Sequence, residues 1–442
     1  MAAPRMTRQQ RRVAMATTVG TTIEWYDFFI YANAVALVFG QLFFSPLEGP
    51  LQQLVPFATI GISFLVRPLG AVLMGRLGDR YGRRVVLIVT LVMMGAATTL
   101  IGLLPTYAAI GVAAPILLVL LRVVQGFSAG GEWAGAALMA VEHAPADKRG
   151  RFGSFPQLGV PAGMLLAAAV SAAVIAPLGE ERYLEWGWRI PFLLSIVLLA
   201  LGHYIRRKVE ESPVFAEMEQ SAATEHAPLS TLFRRHPVKV LQASLVFMGN
   251  NGAGYMLVGG YLLNYGTTKL GLDSSLMLNM IMAGSVAWFA STWYGAVLSD
   301  RLGRPRTIGG GYGLLLLWLF PMFLLIGTGE AVLVLLALVV FGLLLGLSYG
   351  ALSAMYAEHF PASIRLSGAS ISYALGAILG GAFVPTISVW LEARFDSVLS
   401  VAAYLAVLVA VSGAVALTFA DRRGADLSHR GDEDAPAPAG HR

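Results

Sequence analysis

The sequence has 442 residues, of which 56% are hydrophobic and only 13% are charged. A soluble protein carries about 25% charged residues, so this composition indicates a membrane protein. There is no cysteine, which excludes disulfides, thiolate metal sites and thiol catalysis. The net charge of +5 is compatible with nucleic-acid binding, but the basic residues cluster in short segments between apolar runs, so we expect no nucleic-acid partner.

Twelve apolar runs are each near the ~20 residues that a helix needs to cross a bilayer, and we number them spans 1 to 12. Residues 1–15 are predicted to form an N-terminal tail, 207–237 a charged central loop, and 421–442 a disordered C-terminal tail. The loop divides the chain into two six-helix halves, 16–206 and 238–420. The predicted spans are 16–44, 53–75, 85–104, 109–141, 151–176, 187–206, 238–265, 275–297, 307–327, 331–356, 366–390 and 398–420.

The basic residues predict the orientation of the chain. Of 31 Lys and Arg residues, 25 lie in the tails and the even-numbered loops. Only Arg182, Lys269 and Arg394 lie in the loops on the other side. Because basic loops remain in the cytoplasm, we expect a multi-pass protein of the cell (inner) membrane with both termini cytoplasmic.

Two kinds of charged repeat occur between the apolar runs. Residues 79–83 read DRYGR, and residues 300–304 read DRLGR. Charged side chains cannot lie in hydrocarbon, so each copy is predicted to form a tight loop at the membrane surface. Residues 142–149 read EHAPADKR, and residues 358–365 read EHFPASIR. Repeats at corresponding positions indicate a duplicated chain with two pseudo-equivalent halves.

Span 1 carries ionisable side chains within its apolar run. Such groups cost roughly 2.5–3.5 kcal/mol each on insertion scales, so they need a reason to be there. Glu24, Asp27 and Tyr31 are spaced i, i+3 and i+7 and therefore share one helical face.

Spans 2 and 4 add further polar groups. Arg67 lies in span 2, and Arg122, Gln125 and Glu132 follow one face of span 4. One interpretation is that the ionisable groups are buried pairs that fix helix register. The other is proton coupling, because burial raises a carboxylate pKa and a nearby arginine lowers it, so a carboxylate with a changing partner can load and release a proton. The predicted network comprises Glu24, Asp27, Arg67, Arg122 and Glu132.

Other polar side chains are candidates for lining a solute cavity. Span 7 is unusually polar, and amides and phenols near the midplane can bind carboxylate or hydroxyl groups of a solute. The alternative is hydrogen bonding between helices. Arg189, at the outer end of span 6, is expected either to attract an anion or to anchor at the lipid headgroups. The cavity candidates are Tyr31, Gln125, Arg189, Asn250, Asn251, Tyr255, Asn279 and Tyr349.

The sequence also contains several longer motifs, which are TIEWYDF at 22–28, RPLG at 67–70, LRVVQGF at 121–127, GGEW at 130–133, WGWRIPF at 186–192 and EHFP at 358–361. Together with the charged repeats, they resemble the metabolite:proton symporter family of the major facilitator superfamily. The resemblance implies an all-α integral membrane protein with 12 transmembrane helices in two pseudo-symmetric six-helix bundles. It also implies solutes such as oxoglutarate, citrate, shikimate, proline or betaine.

The resemblance also implies roles for individual residues. It places Arg122 in the proton-linked motif of span 4. The full glycine–proline motif of drug antiporters is missing from span 5, which favours uptake, and the coiled coil of osmosensing members is missing, which weakens an osmosensor hypothesis. A basic loop that only fixes topology is the alternative to a cytoplasmic gate. The gate residues implied are Gly75, Asp79, Arg80, Gly82, Arg83, Glu142, Arg149, Asp300, Arg301, Gly303, Arg304, Glu358 and Arg365.

The sequence thus predicts a proton-coupled importer of a small polar metabolite that works by alternating access. The intramembrane Arg67, Arg122 and Arg189 favour an organic acid, while zwitterionic osmolytes are the alternative. Facilitated diffusion and a non-transporting sensor are further hypotheses. We find no nucleophile–base set, metal cluster or cofactor loop, so we expect no enzyme, metal or cofactor. The expected partners are the solute, protons and the lipid bilayer, and the functional unit is expected to be a monomer.

Overall fold

A computed structural model describes residues 6–81, 83–130, 132–206, 232–234, 236–258, 260–361 and 364–427. The side chains of residues 75–88, 203, 205–206 and 255–258 lie outside the described part. Within these ranges, the regular secondary structure is entirely helical. Nine helical spans in the described residues are long and apolar enough to cross a membrane, and spans 3, 6 and 7 supply the remaining helices.

The first half contains spans 1 to 6. Span 1 begins inside the predicted N-terminal tail, because Thr7 and Gln10 form a reciprocal capping box that starts the helix at Arg8. The six spans run as Arg8–Ala34 continued by Val35–Phe39 and Gly40–Phe43, Leu51–Tyr81, Arg83–Leu103, Ala113–Ser128 with Glu132–Glu142, Arg149–Arg182 with Tyr183–Gly187, and Arg189–Arg206. Short helices Tyr107–Ile110 and Ala146–Lys148 lie before spans 4 and 5.

The second half contains spans 7 to 12. Span 7 begins at Pro237, the last residue of the predicted central loop, where a proline is tolerated in the first turn of a helix. The six spans run as Pro237–Val258 with Tyr261–Thr268, Ser274–Leu302, Arg304–Gly327, Ala331–Tyr349 with Leu352–His359, Arg365–Ala377 continued by Ile378–Ala382 and Val384–Phe395, and Leu399–Leu417.

The spans pack in the same way in the two halves. Span 1 packs on span 5, span 2 on span 4 and span 3 on span 6; adding six to each number gives the pairs 7 on 11, 8 on 10 and 9 on 12. The halves meet where span 2 packs on span 11 and span 5 packs on span 8, and these two contacts are themselves related by the same shift. The packing therefore has the pseudo-two-fold symmetry that a duplicated chain produces.

Glycines allow the closest helix contacts in corresponding places. A Cβ atom at Gly126 of span 4 would overlap the backbone of Ser63 in span 2. A Cβ atom at Gly342 of span 10 would overlap the backbone of Gly284 in span 8. Small residues at such contacts let membrane helices approach closely, which is the main source of their packing energy.

We expect Gly126→Val to destabilise the protein, because the added side chain must push span 4 away from span 2. Overpacking of this kind costs about 1–3 kcal/mol or more. The matched control is Gly135→Val, since a Cβ there meets no atom within 4 Å. The measurement is the midpoint of thermal unfolding in detergent, and equal midpoints for the two variants would contradict the packing.

Candidate functional site

Two ion pairs cross between the halves at one end of the molecule. Glu142 of span 4 pairs with Arg365 of span 11, with 3.5 Å between Oε1 and Nη1. Arg149 of span 5 pairs with Glu358 of span 10, with 4.0 Å between Nη1 and Oε1. Each copy of the EH-x-P repeat thus supplies its carboxylate to the arginine of the other copy. We call this end of the molecule the gate end.

Arg304 joins Glu358 to a further carboxylate. Its Nε and Nη2 atoms donate to the two oxygens of Glu358, each at 3.1 Å. Its Nη1 atom donates to Asp300 Oδ1 at 2.7 Å and to Ser299 Oγ at 2.8 Å. Only 1% of Arg304 is exposed. Such a bidentate pair supplies both energy and a defined geometry to a buried charge.

Asp300 also contacts the opposite half directly. Its two carboxylate oxygens accept from the backbone N–H groups of Gly150 (2.8 Å) and Arg151 (3.0 Å), at the start of span 5. A carboxylate at a helix N-terminus satisfies orphan donors and interacts favourably with the helix dipole. A Cβ at Gly150 would overlap Arg304 and Ser299, so the glycine makes room for this contact.

The first copy of the charged loop lies between spans 2 and 3. Gly75 lies within the helix of span 2, whereas the side chains of Asp79, Arg80 and Arg83 and the whole of Gly82 lie outside the described part. In the second copy, Gly303 has φ of +103° at the start of span 9, and the carbonyl of Arg301 accepts from Arg423 at 2.6 Å.

Three carboxylates line one small cavity inside the first half. Glu24 and Asp27 of span 1 and Glu132 of span 4 face it, together with Ser195 of span 6. Ser195 Oγ donates to Asp27 Oδ1 at 2.7 Å, and only 2% of Asp27 is exposed. The structure thus gathers three acidic side chains around one small space within the first half.

Arg122 lies fully buried beside this cavity. It donates to Gln125 Oε1 at 2.8 Å and to Ser63 Oγ at 3.1 Å, and its guanidinium lies 3.8 Å from the Tyr31 ring centroid. Gln125 in turn donates to Thr98 Oγ1 at 2.8 Å. The hydroxyl of Thr98 lies within hydrogen-bonding reach of Asp27, so a chain of polar contacts runs from Arg122 to that carboxylate.

Arg67 faces the second half. Its guanidinium lies 4.3 Å from the ring centroid of Phe64 and 5.7 Å from that of Trp25. Arg67 and Glu24 both lie close enough to Tyr373 of span 11 to act on it electrostatically. The predicted network is thus gathered in the first half, with Arg67 and Glu24 at its boundary with the second.

An aromatic stack fills the boundary between the halves. Trp133 of span 4 stacks on Tyr373 with 3.8 Å between centroids, and Phe247 of span 7 stacks on Tyr373 at 4.2 Å. Trp133 Nε1 donates to Gln157 Oε1 at 2.8 Å, and Gln157 Nε2 donates to the carbonyl of Tyr349 at 3.1 Å. The indole ring of Trp133 in span 4 is therefore the place where spans 5, 7, 10 and 11 also meet.

The amides of span 7 hold neighbouring helices. Asn250 Nδ2 donates to Ser348 Oγ of span 10 at 2.8 Å, and Asn251 Nδ2 donates to the carbonyl of Ala377 at 3.1 Å. These contacts fit the interpretation as hydrogen bonds between helices. Tyr349 is buried, with its ring 5.7 Å from that of Trp288.

Two other cavity candidates, Arg189 and Asn279, are not brought to this place. Arg189 donates to the carbonyls of Gly102 (2.8 Å) and Leu104 (2.7 Å), and so binds the end of span 3. Asn279 is exposed on span 8. The side chain of Tyr255 lies outside the described residues.

Comparison with known proteins identifies the family to which this chain belongs. The sequence model of the Major Facilitator Superfamily matches residues 17–365. The chain belongs to the major facilitator superfamily. It is 37% identical over 392 residues to the inner membrane metabolite transport protein YhjE of Escherichia coli K12, covering 87% of this chain and 89% of that protein. It is 37% identical over 420 residues to the shikimate transporter of the same organism, covering 94% and 95%.

A third relative and a solved structure extend the comparison. The proline/betaine transporter of Salmonella typhimurium LT2 is 33% identical over 411 residues, covering 91% of this chain and 81% of that protein. A crystal structure of a D-xylose-proton symporter superposes with a TM-score of 0.75 at 20% identity, covering 94% of this chain and 99% of that chain. These findings confirm the resemblance and the all-α twelve-helix fold. The chain is a multi-pass metabolite transporter of the inner membrane and not an enzyme.

Sequence reasoning missed several contacts of this major facilitator protein. Trp133 belongs to one of the motifs that carry the resemblance, but an aromatic residue in a membrane span usually indicates packing, so its stacking on Tyr373 was not predicted. Ser195 and Gln157 lie among apolar neighbours, where one hydroxyl or amide most often bonds within its own helix. Their partners lie on distant spans, which no local pattern shows.

We expect Asp300→Asn to weaken the gate end while the transporter remains inserted in the membrane. The amide keeps the size but loses the charge that interacts with Arg304 and the span 5 N-terminus. Breaking a buried charge pair costs about 3–5 kcal/mol, so the midpoint of thermal unfolding should fall. The control is Glu330→Gln, an exposed carboxylate far from this end; an Asp300→Asn midpoint as high as the control would contradict the role.

Proposed function

We propose that this transporter is a proton-coupled symporter that takes up a small organic acid by alternating access. The observation that supports it most directly is the cavity shared by Glu24, Asp27 and Glu132, with the fully buried Arg122 connected to it through polar side chains. A facilitated-diffusion carrier has no need for such a concentration of ionisable groups, which is costly inside a membrane.

The proposed proton carriers are the three carboxylates that line this cavity, and Asp27 is the principal one. In the structure Arg122 bonds to Ser63 and Gln125, and in the proposed cycle Asp27 carries the proton in this arrangement of the helices. A shift of span 4 that brings the guanidinium toward Asp27 favours ionisation and release of the proton. The two protonation states thereby bias two arrangements of the helices.

Buried arginines support an anionic solute. Arg67 and Arg122 lie deep in the first half, and Arg67 faces the boundary between the halves. A guanidinium in low dielectric attracts a carboxylate strongly and binds it in a planar, bidentate manner. The shikimate transporter is a relative that fits this class of solute.

A zwitterionic osmolyte is the second candidate, because an arginine also suits a lone carboxylate. The rings of Trp133, Tyr373 and Phe247 at the same boundary offer aromatic surface to an ammonium group. The proline/betaine transporter is a relative of this class.

Closure of the gate end would supply one of the two states that alternating access requires. The crossed pairs of Glu142 with Arg365 and Arg149 with Glu358, and the contact of Asp300 with span 5, all join opposite halves. Opening of this end must break them together. We propose that this end is cytoplasmic, because 25 of the 31 basic residues lie on the same side in the twelve-span topology. A monomer contains both halves and is the proposed functional unit.

The proposed function is tested in two steps. Purified protein is screened by thermal shift against organic acids, amino acids and betaines, since a true ligand raises stability by RT ln(1+[L]/Kd). The solute found is then offered to proteoliposomes with and without an inward proton gradient. Accumulation against the solute gradient only when protons flow inward supports symport. Equal uptake under both conditions would point to facilitated diffusion.

We expect Asp27→Asn to abolish uphill, proton-driven uptake while exchange of labelled for unlabelled solute continues. Asparagine keeps the hydrogen bond from Ser195 but cannot titrate. The control is Asp147→Asn, an exposed carboxylate in the short helix before span 5. If the Asp27→Asn variant still accumulates solute against its gradient, another carboxylate carries the proton, and Glu24 and Glu132 are next.

We expect topology reporters fused after Arg442 and inserted in residues 207–237 both to report a cytoplasmic location. The reason is the strong excess of basic residues in the corresponding loops. A periplasmic signal from either fusion would contradict the orientation.

A further inference from the structure

The chain beyond span 12 turns back across the gate end. Residues 421–427, which we call the strap, follow the helix Leu399–Leu417. Arg423 pairs with Asp421 at 2.7 Å and donates to the carbonyl of Arg301 at 2.6 Å. The guanidinium of Arg423 thereby binds the C-terminal end of span 8, where helix carbonyls lack intrahelical donors and carry partial negative charge.

The strap is also bound by the arginines of the crossed ion pairs. Arg149 Nη1 donates to the carbonyl of Ala425 at 2.6 Å, and Arg365 Nη1 donates to the carbonyl of Leu427 at 3.0 Å. Arg149 belongs to the first half and Arg365 to the second. The strap backbone thus connects the two halves through the same side chains that hold the gate end closed.

The side chain of Leu427 fills a pocket built by both halves. Only 7% of the residue is exposed. It packs with Leu138 and Val141 of span 4, with Ala357 of span 10 and with Leu366 of span 11. When spans 4 and 10 separate, the pocket loses one of its walls and this apolar surface returns to water.

We propose that the strap is a latch that stabilises the closed gate end and leaves its site when that end opens. The proposal rests on the alternating-access part of the proposed function, but not on the identity of the solute or on proton coupling. Because the strap binds a site complete only in the closed state, it shifts the population toward that state. Any factor that withdraws the C-terminal segment would then favour opening.

A buried cysteine can report opening of the gate end without any solute. The natural chain has no cysteine, so one introduced thiol gives an unambiguous signal. Ser353→Cys suits this purpose, since Ser353 is fully buried on span 10 and packs against Gly153 of span 5. The rate of maleimide labelling in detergent then measures how often the two helices separate.

The decisive comparison is between two truncations in the Ser353→Cys background. Ending the chain after Ala420 removes the strap, and ending it after Leu427 keeps it. We expect the first to increase the labelling rate by about tenfold, as loss of one buried leucine side chain predicts. The second should label at the full-length rate. Equal rates for both truncations would overturn the latch.

A point substitution covers the case in which the shorter truncation does not fold. Leu427→Ser removes only the apolar anchor, and Arg422→Ser is its matched control, because Arg422 is exposed on the strap. Faster labelling of the leucine variant alone supports the latch, and equal labelling overturns it. Since no solute is present, a failure of this test leaves the transport experiments above to be decided separately.

Discussion

Charged side chains buried between the two halves must all keep partners at once, because an unpaired buried charge is far more costly than a paired one. At the gate end, Glu358 pairs with both Arg304 and Arg149. Asp300 accepts hydrogen bonds from both Arg304 and the N-terminus of span 5. If one of these side chains is lost, the charges that it paired with become unpaired and carry the same cost in free energy. The contact between the halves at this end is therefore held by a small cooperative network, and water would solvate its charges in the open state that alternating access proposes.

Duplication explains why this network can couple the halves. The two EH-x-P repeats exchange partners across the pseudo-two-fold axis, as Glu142 with Arg365 and Arg149 with Glu358 show. The chemistry, in contrast, is asymmetric. The first half gathers the carboxylates and arginines around Asp27, whereas the second half uses amides such as Asn250 to hold its own helices together. Symmetry is thus a property of the contacts between the halves, and the proposed proton and solute contacts belong mainly to one half.

The sequence predicted the span order, the duplication and the grouping of Arg122 with Gln125, because these depend on hydropathy, repeats and helical spacing. It did not predict that Arg189 binds the carbonyl end of span 3 or that Asn279 is exposed, since both depend on which neighbour each helix face meets. The strap was also missed. Its contacts join residues far apart in the chain, and a short charged, alanine-rich tail has the composition of a disordered segment.

Distances between spin labels at the two ends of the molecule test this account most directly. One pair is placed at the gate end, on the exposed Asp147 and Arg306, and one at the opposite end, on the exposed Glu48 and Ala393; each pair joins the two halves. In the Asp300→Asn background, the account predicts that the gate-end distance lengthens while the opposite-end distance stays the same or shortens. Unchanged distances at both ends, or lengthening at both, would contradict alternating closure by the buried charge network.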